Sequence, residues 1–179
     1  MYNFKEQNDI GQIGEKLIKN FYHSQNKQYV ARDALMEEQM KGSDLFVVDG
    51  HLNTRYVEVK TDTKAYDTDN VAFEVYIQHE DGKVTIGAAM KTFSDFLFYW
   101  IFPTTRVLYW QPKDINPYIL KWLETEKLVD VENKKFFSRN LIVPISTVLD
   151  TGVVNELHLD YAMVEDVLQG VDGISAVLV

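Results

Sequence analysis

The apolar positions of this chain follow two periods. Ile10, Ile13, Leu17, Ile18, Phe21 and Tyr22 recur at helical spacing and predict an amphipathic helix over residues 10–22, with Asp9 as its N-cap. Gly11 and Gly14 interrupt this helix. Each costs about 1 kcal/mol relative to alanine in a helix interior, and each lets a helix approach a sheet closely. Glu15 lies beside the apolar stripe, not opposite it.

After this helix the period shortens. Residues 28–33 read as a short strand, and residues 34–40 as a loop or helical turn. Phe46, Val47 and Val48 form one apolar run, Asp49-Gly50 signals a tight turn, and Tyr56, Val57 and Val59 carry the returning strand. Residues 61–70 are polar and predict a loop, residues 71–78 a strand, and Asp81-Gly82 the turn after it. Residues 88–96 open a helix. The aromatic-rich runs 96–102 and 106–110 flank Pro103-Thr104-Thr105 and predict a hairpin.

Residues 114–126 predict a helix capped by Asp114 or Asn116, with Pro117 in its first turn. Residues 134–137 and 140–145 read as strand or loop, and Pro144 suggests an edge. Residues 155–168 predict a C-terminal helix ended by Gly170. There is no internal repeat, low-complexity segment or linker. One domain over residues 1–179 is expected, with its core over 10–110 and a helical and strand extension over 111–179.

Composition narrows the classes. The 179 residues suit one domain, and 46% apolar content is enough for a core. No apolar run approaches the roughly 20 residues of a membrane span, so no membrane partner is expected. The polar N-terminus lacks the apolar stretch of a signal peptide, and the absence of cysteine excludes disulfides and thiolate metal sites. Together these features give a cytoplasmic expectation. The formal net charge of −9 argues against a general nucleic-acid coat, because phosphate affinity comes mainly from Lys and Arg.

The candidate chemistry lies in Asp44 and Glu58-Val59-Lys60. Side chains alternate along a strand, so Glu58 and Lys60 share one face, and Asp44 starts the strand beside them. A sheet does not require two carboxylates and an ammonium on one face. A hard divalent cation does make use of them. Asp44, Glu58 and the Val59 carbonyl supply oxygen ligands for magnesium, with manganese as a substitute. Lys60 is placed to orient or deprotonate water, or to neutralise charge developing on a phosphate.

This arrangement resembles the PD-(D/E)xK nuclease superfamily, the restriction-endonuclease-like fold. That superfamily places an Asp at one strand start and E-x-K on the next strand, and Asp44 and Glu58-Val59-Lys60 match both. Ser43 stands where a proline usually precedes the Asp. Glu15, in the preceding helix, resembles the extra metal-site Glu of Holliday-junction resolvases and small phage-type nucleases. The resemblance implies an α/β fold with a mixed central sheet flanked by helices. It also implies magnesium-dependent phosphodiester hydrolysis, with nucleic acid, DNA first, as partner. A homodimer would suit cutting of both strands. Within the resemblance, Asn70, Glu74 and Lys91 face the nucleic-acid cleft, and Thr61 touches the phosphate or supports the ligands.

Other signals are weaker. His23, His51, His79 and His158 show no ligand spacing, and no phosphate-binding G-x-x-x-x-G-K-[ST] loop occurs. The aromatic set from Phe96 to Trp110 reads as core or a dimer face before it reads as a base-stacking surface. Two rival readings follow from the acidic balance. One is a catalytically silent nuclease-like binding or inhibitor protein of phage or mobile-element origin. The other is a structural dimer whose acidic cluster is incidental.

Overall fold

The computed structural model describes residues 4–25, 28–133, 136–169, 171 and 174–177. The N-terminal stripe forms helix α1 (Phe4–Ser24), which starts earlier than its periodicity indicates. Asp9 therefore lies inside the helix and does not cap it.

Strand β1 (Tyr29–Asp33), the short helix α2 (Met36–Gln39), β2 (Leu45–Asp49) and β3 (Thr54–Asp62) follow. The three strands form an antiparallel meander with Leu45 opposite Val57. Their β2–β3 turn is wider than Asp49-Gly50 predicts. The Asp49 carboxylate accepts from the backbone N–H groups of His51 and Asn53, both at 2.9 Å, and Leu52 takes the left-handed conformation at φ 64°. Side-chain acceptance by Asp stabilises this longer loop.

The polar stretch 61–70 is only partly loop. Strand β3 runs on to Asp62, α3 (Ala65–Thr68) makes one turn, and β4 (Asn70–His79) begins at once. Asp62 Oδ1 accepts from the N–H groups of Lys64 at 2.6 Å and Ala65 at 3.1 Å, which turns the chain there. Strand β5 (Val84–Ile86) pairs with β4 across the expected Asp81-Gly82 turn. The helix expected over 88–96 shrinks to α4 (Ala88–Lys91), because Phe96 belongs to β6 (Phe96–Ile101). β6 and β7 (Arg106–Trp110) form the expected hairpin.

Helix α5 (Pro112–Trp122) starts before the expected position. Pro112 takes the first turn, where its missing N–H costs nothing, and Pro117 sits inside the helix. Strand β8 (Lys127–Asn133), which its sequence did not announce, pairs with β9 (Phe136–Pro144). β9 is an inner strand, so Pro144 marks a strand end and no sheet edge. Helix α6 (Ile145–Leu149) follows.

The expected C-terminal helix divides into β10 (Asn155–His158) and α7 (Tyr161–Leu168). β10 completes its hydrogen bonds on β7, and Asp160 caps α7 by accepting from Ala162 N–H at 2.7 Å. Gly170, Lys134 and Lys135 lie outside the described residues.

Two sheets result. One is mixed, in the order β1-β2-β3-β6-β7-β10, with β3 and β6 parallel; the other is antiparallel, in the order β5-β4-β9-β8. The mixed α/β sheet is as expected, but its cover differs. Leu17 and Ile18 of α1 and Val164, Val167 and Leu168 of α7 pack on one face, against Val57, Val59, Phe98 and Trp100. The other face is covered largely by the second sheet. Val71, Phe73, Val75, Leu141 and Val143 meet Leu97, Tyr99 and Trp110, with α5 and α6 closing the side. Strand β6 is consequently apolar on both faces, and the aromatic run is core.

Gly14 sets the seat of α1. A Cβ there would lie 2.0 Å from Thr61 Oγ1 and 3.6 Å from the Trp100 ring, whereas one at Gly11 would meet nothing within 4 Å. Gly14→Val is expected to cost about 1–3 kcal/mol through overpacking. Gly11→Ala should gain up to about 1 kcal/mol from helix propensity. Urea denaturation of both variants measures the difference, and equal effects would reject this packing.

Candidate active site

Alternation along β3 separates its side chains. Val57, Val59 and Thr61 turn toward α1, and Glu58, Lys60 and Asp62 turn the other way. Glu58 and Lys60 thus share a face, as expected, and Lys60 Nζ lies 2.9 Å from Glu58 Oε1. Burial divides the pair unequally, since the Glu58 side chain is 5% exposed and that of Lys60 is 47%. Glu58 Oε2 is buried without a hydrogen-bond partner. A buried carboxylate oxygen left unpaired is costly.

Asp44 immediately precedes β2 and is fixed by its own backbone. Its N–H donates to Val57 O and its C=O accepts from Ala34 N–H, both at 2.8 Å. Its Oδ2 accepts from Val59 N–H at 2.7 Å. Within a strand residue, N–H and C=O point the same way, so the Val59 carbonyl also lies on the Asp44 side. Burial raises the Asp44 pKa, and the Glu58 charge adds to it; the Val59 bond and the Lys60 charge act against them.

Ser43, in the usual proline position, is buried and hydrogen-bonded through its hydroxyl to the Ser94 hydroxyl at 2.8 Å. Thr92 and Ser94 also donate to Gly42 O, at 3.0 and 2.8 Å. These residues brace the segment that presents Asp44.

Glu15 reaches the same region from α1. Its pKa rises from 4.5 to about 7, first through burial and then through the charges of Asp44 and Asp33, against Lys19 and Lys60. For Lys60, burial lowers the pKa, but the Glu58 charge and hydrogen bond, with Asp44 and Glu74 beyond, outweigh it and leave a net rise. Lys60 therefore stays an ammonium at neutral pH, a donor and counter-charge, not a base.

The remaining expected residues separate. Glu74 is brought in: it borders a cavity of about 550 Å³ beside Lys60, and its Oε1 accepts from Ala88 N–H at 3.2 Å. Thr61 borders the cavity too, but its hydroxyl lies against Gly14 with no partner. Asn70 donates to Thr68 O at 2.6 Å and does not line the cavity. Lys91 is exposed at the end of α4 and does not line it either.

Sequence reasoning missed Tyr99, Ser138 and Asn140 on the cavity wall. The hydroxyl of Tyr99 donates to Asp62 Oδ2 and accepts from Ala72 N–H at 3.1 Å, which ties the two sheets together. Burial and the Asp62 charge hold its pKa well above the usual phenol value. Ser138 and Asn140 arrive from β9 through long-range pairing, which no local pattern signals.

Among the described residues, no group of three or more His, Cys, Asp or Glu side chains stands close enough to hold a metal ion as placed. No helix among them is long and apolar enough to cross a membrane. Comparison of the chain with family models, curated proteins and solved structures finds no match.

The raised Glu15 pKa carries a pH signature. Its protonated form favours the fold, so this contribution is full below pH 4.5 and is lost as pH rises through about 7. Glu15→Gln keeps the neutral amide at every pH. The variant should therefore gain stability relative to the parent between those two values, read as melting temperature against pH. A constant difference across that window would contradict the burial of Glu15.

Proposed function

We propose that this protein is a metal-dependent nuclease of the restriction-endonuclease-like kind, hydrolysing phosphodiester bonds of nucleic acid, with DNA as the first candidate. The observation that carries the reading is Glu58, a buried carboxylate with one oxygen on Lys60 and the other unpartnered. Supporting it are Asp44 on the adjacent strand, Glu15 from the first helix, and the order of an antiparallel meander followed by a parallel strand.

The donor set fits a hard divalent cation. Asp44, Glu58, Glu15 and the Val59 carbonyl offer only oxygen, as magnesium and manganese prefer. Bound there, such an ion supplies positive charge for phosphate oxygens and lowers the pKa of water.

The chain's own groups have separate tasks. The Lys60 ammonium meets a non-bridging phosphate oxygen and offsets charge that builds in the transition state. Glu58 holds Lys60 on the strand face. Asp44 is held in place by the Val59 N–H. Glu15 brings a further carboxylate toward Asp44 from α1.

A second reading, a nuclease-like binding protein, is favoured by the net charge of −9 and by the lack of a gathered three-ligand cluster among the described residues. Two measurements separate the readings. In the nuclease, Lys60→Ala lowers magnesium-dependent cleavage by about 100-fold or more. It also costs some stability, because buried Glu58 loses its partner. Calorimetry should show manganese binding that Glu58→Gln abolishes and Lys60→Ala preserves or tightens, since that change removes a competing positive charge. Unchanged cleavage in Lys60→Ala, or no manganese binding by the parent, would reject the nuclease reading.

A further inference from the structure

We infer that the cavity beside Lys60 receives one unpaired nucleotide, with its phosphate at Lys60 and its base against Glu74 and Asn140. This rests on the nuclease reading and specifies its substrate. At about 550 Å³ the cavity has the size of a small-molecule site, not of a groove that tracks a duplex. The strand face bearing Lys60 forms one side of it, and the second sheet supplies the opposite wall through Glu74, Ser138 and Asn140.

Glu74 and Asn140 are direct cross-strand partners on β4 and β9, so their side chains stand together. With one carboxylate oxygen bonded to Ala88 N–H, Glu74 keeps its other to accept from an exocyclic amine. The Asn140 amide adds a donor and an acceptor. Set inside an enclosed cavity, such groups reach a base edge only when the base has left the stack. Phe93, 74% exposed, sits on the segment bonded to Gly42 and Ser43 just before Asp44, and offers a stacking face for a neighbouring base. A net charge of −9 also suits enclosed readout of one nucleotide better than a row of phosphate contacts.

Calorimetric titration in calcium buffer tests this with two probes: oligodeoxycytidylate, and a relaxed, covalently closed circular duplex with no unpaired nucleotides. The full chain should bind the unpaired probe about tenfold or more tightly, because the duplex must first unstack a base. Asn140→Ala should weaken binding of the unpaired probe several-fold while leaving duplex affinity unchanged. Equal affinity for both probes, no affinity for either, or an Asn140→Ala variant that binds like the parent would each overturn the inference. Cleavage of the same probes in magnesium keeps the two claims apart. A protein that cuts the closed duplex as fast as the single strand keeps the nuclease reading and loses this one. A protein that binds the single strand as expected and never cuts keeps this one and loses the nuclease reading.

Discussion

Two different interiors meet at β3, and its side-chain alternation must satisfy both. Val57 and Val59 enter the core under α1, where apolar area leaves water. The intervening Glu58 is carried to the opposite side, equally covered, where a charge is expensive. A slip of one residue would exchange these faces, sending Glu58 into the helix-covered core and Val59 toward the cavity. The parallel pairing of β3 with β6, with Glu58 opposite Leu97 and Lys60 opposite Tyr99, holds this register.

The charge on that face is tolerated because several elements share it. Lys60 neutralises one oxygen of Glu58, and Glu74 from the second sheet adds negative potential at the ammonium. Asp44 is kept close by a backbone N–H of β3 itself. Glu15 is brought near by the seat of α1 on Thr61, which only a residue without a Cβ at position 14 allows. The result is a partly neutralised set of carboxylates in which Glu58 Oε2 is buried without a hydrogen-bond partner.

The second sheet changes what Lys60 faces. The β4–β9 layer borders a cavity beside Lys60, and the Tyr99–Ala72 hydrogen bond joins the layers. Access to Lys60 is therefore shaped by residues distant in the chain, Ser138 and Asn140 among them.

Local sequence determined the parts with strong short-range physics. The helical stripe of α1, the paired strands around Asp49, the aromatic hairpin of β6 and β7, and the shared face of Glu58 and Lys60 all follow from period and turn chemistry. Tertiary structure decided where local preference was weak or ambiguous. Residues 155–168 carry enough apolar residues for a helix, yet β10 forms because the edge of β7 offers backbone partners and Asp160 caps a shorter helix behind it. Strands β5 and β8 are short or mixed in polarity and become strands only beside β4 and β9. Thr61 and Lys91 have the polarity of cleft residues, but packing turns one hydroxyl under α1 and leaves the other side chain outside the cavity. The proximity of Asp44, Glu58 and Lys60 was legible because they lie on or beside neighbouring strands. The cavity wall was not, because it comes from pairing across more than sixty residues of chain, between Glu74 and Asn140.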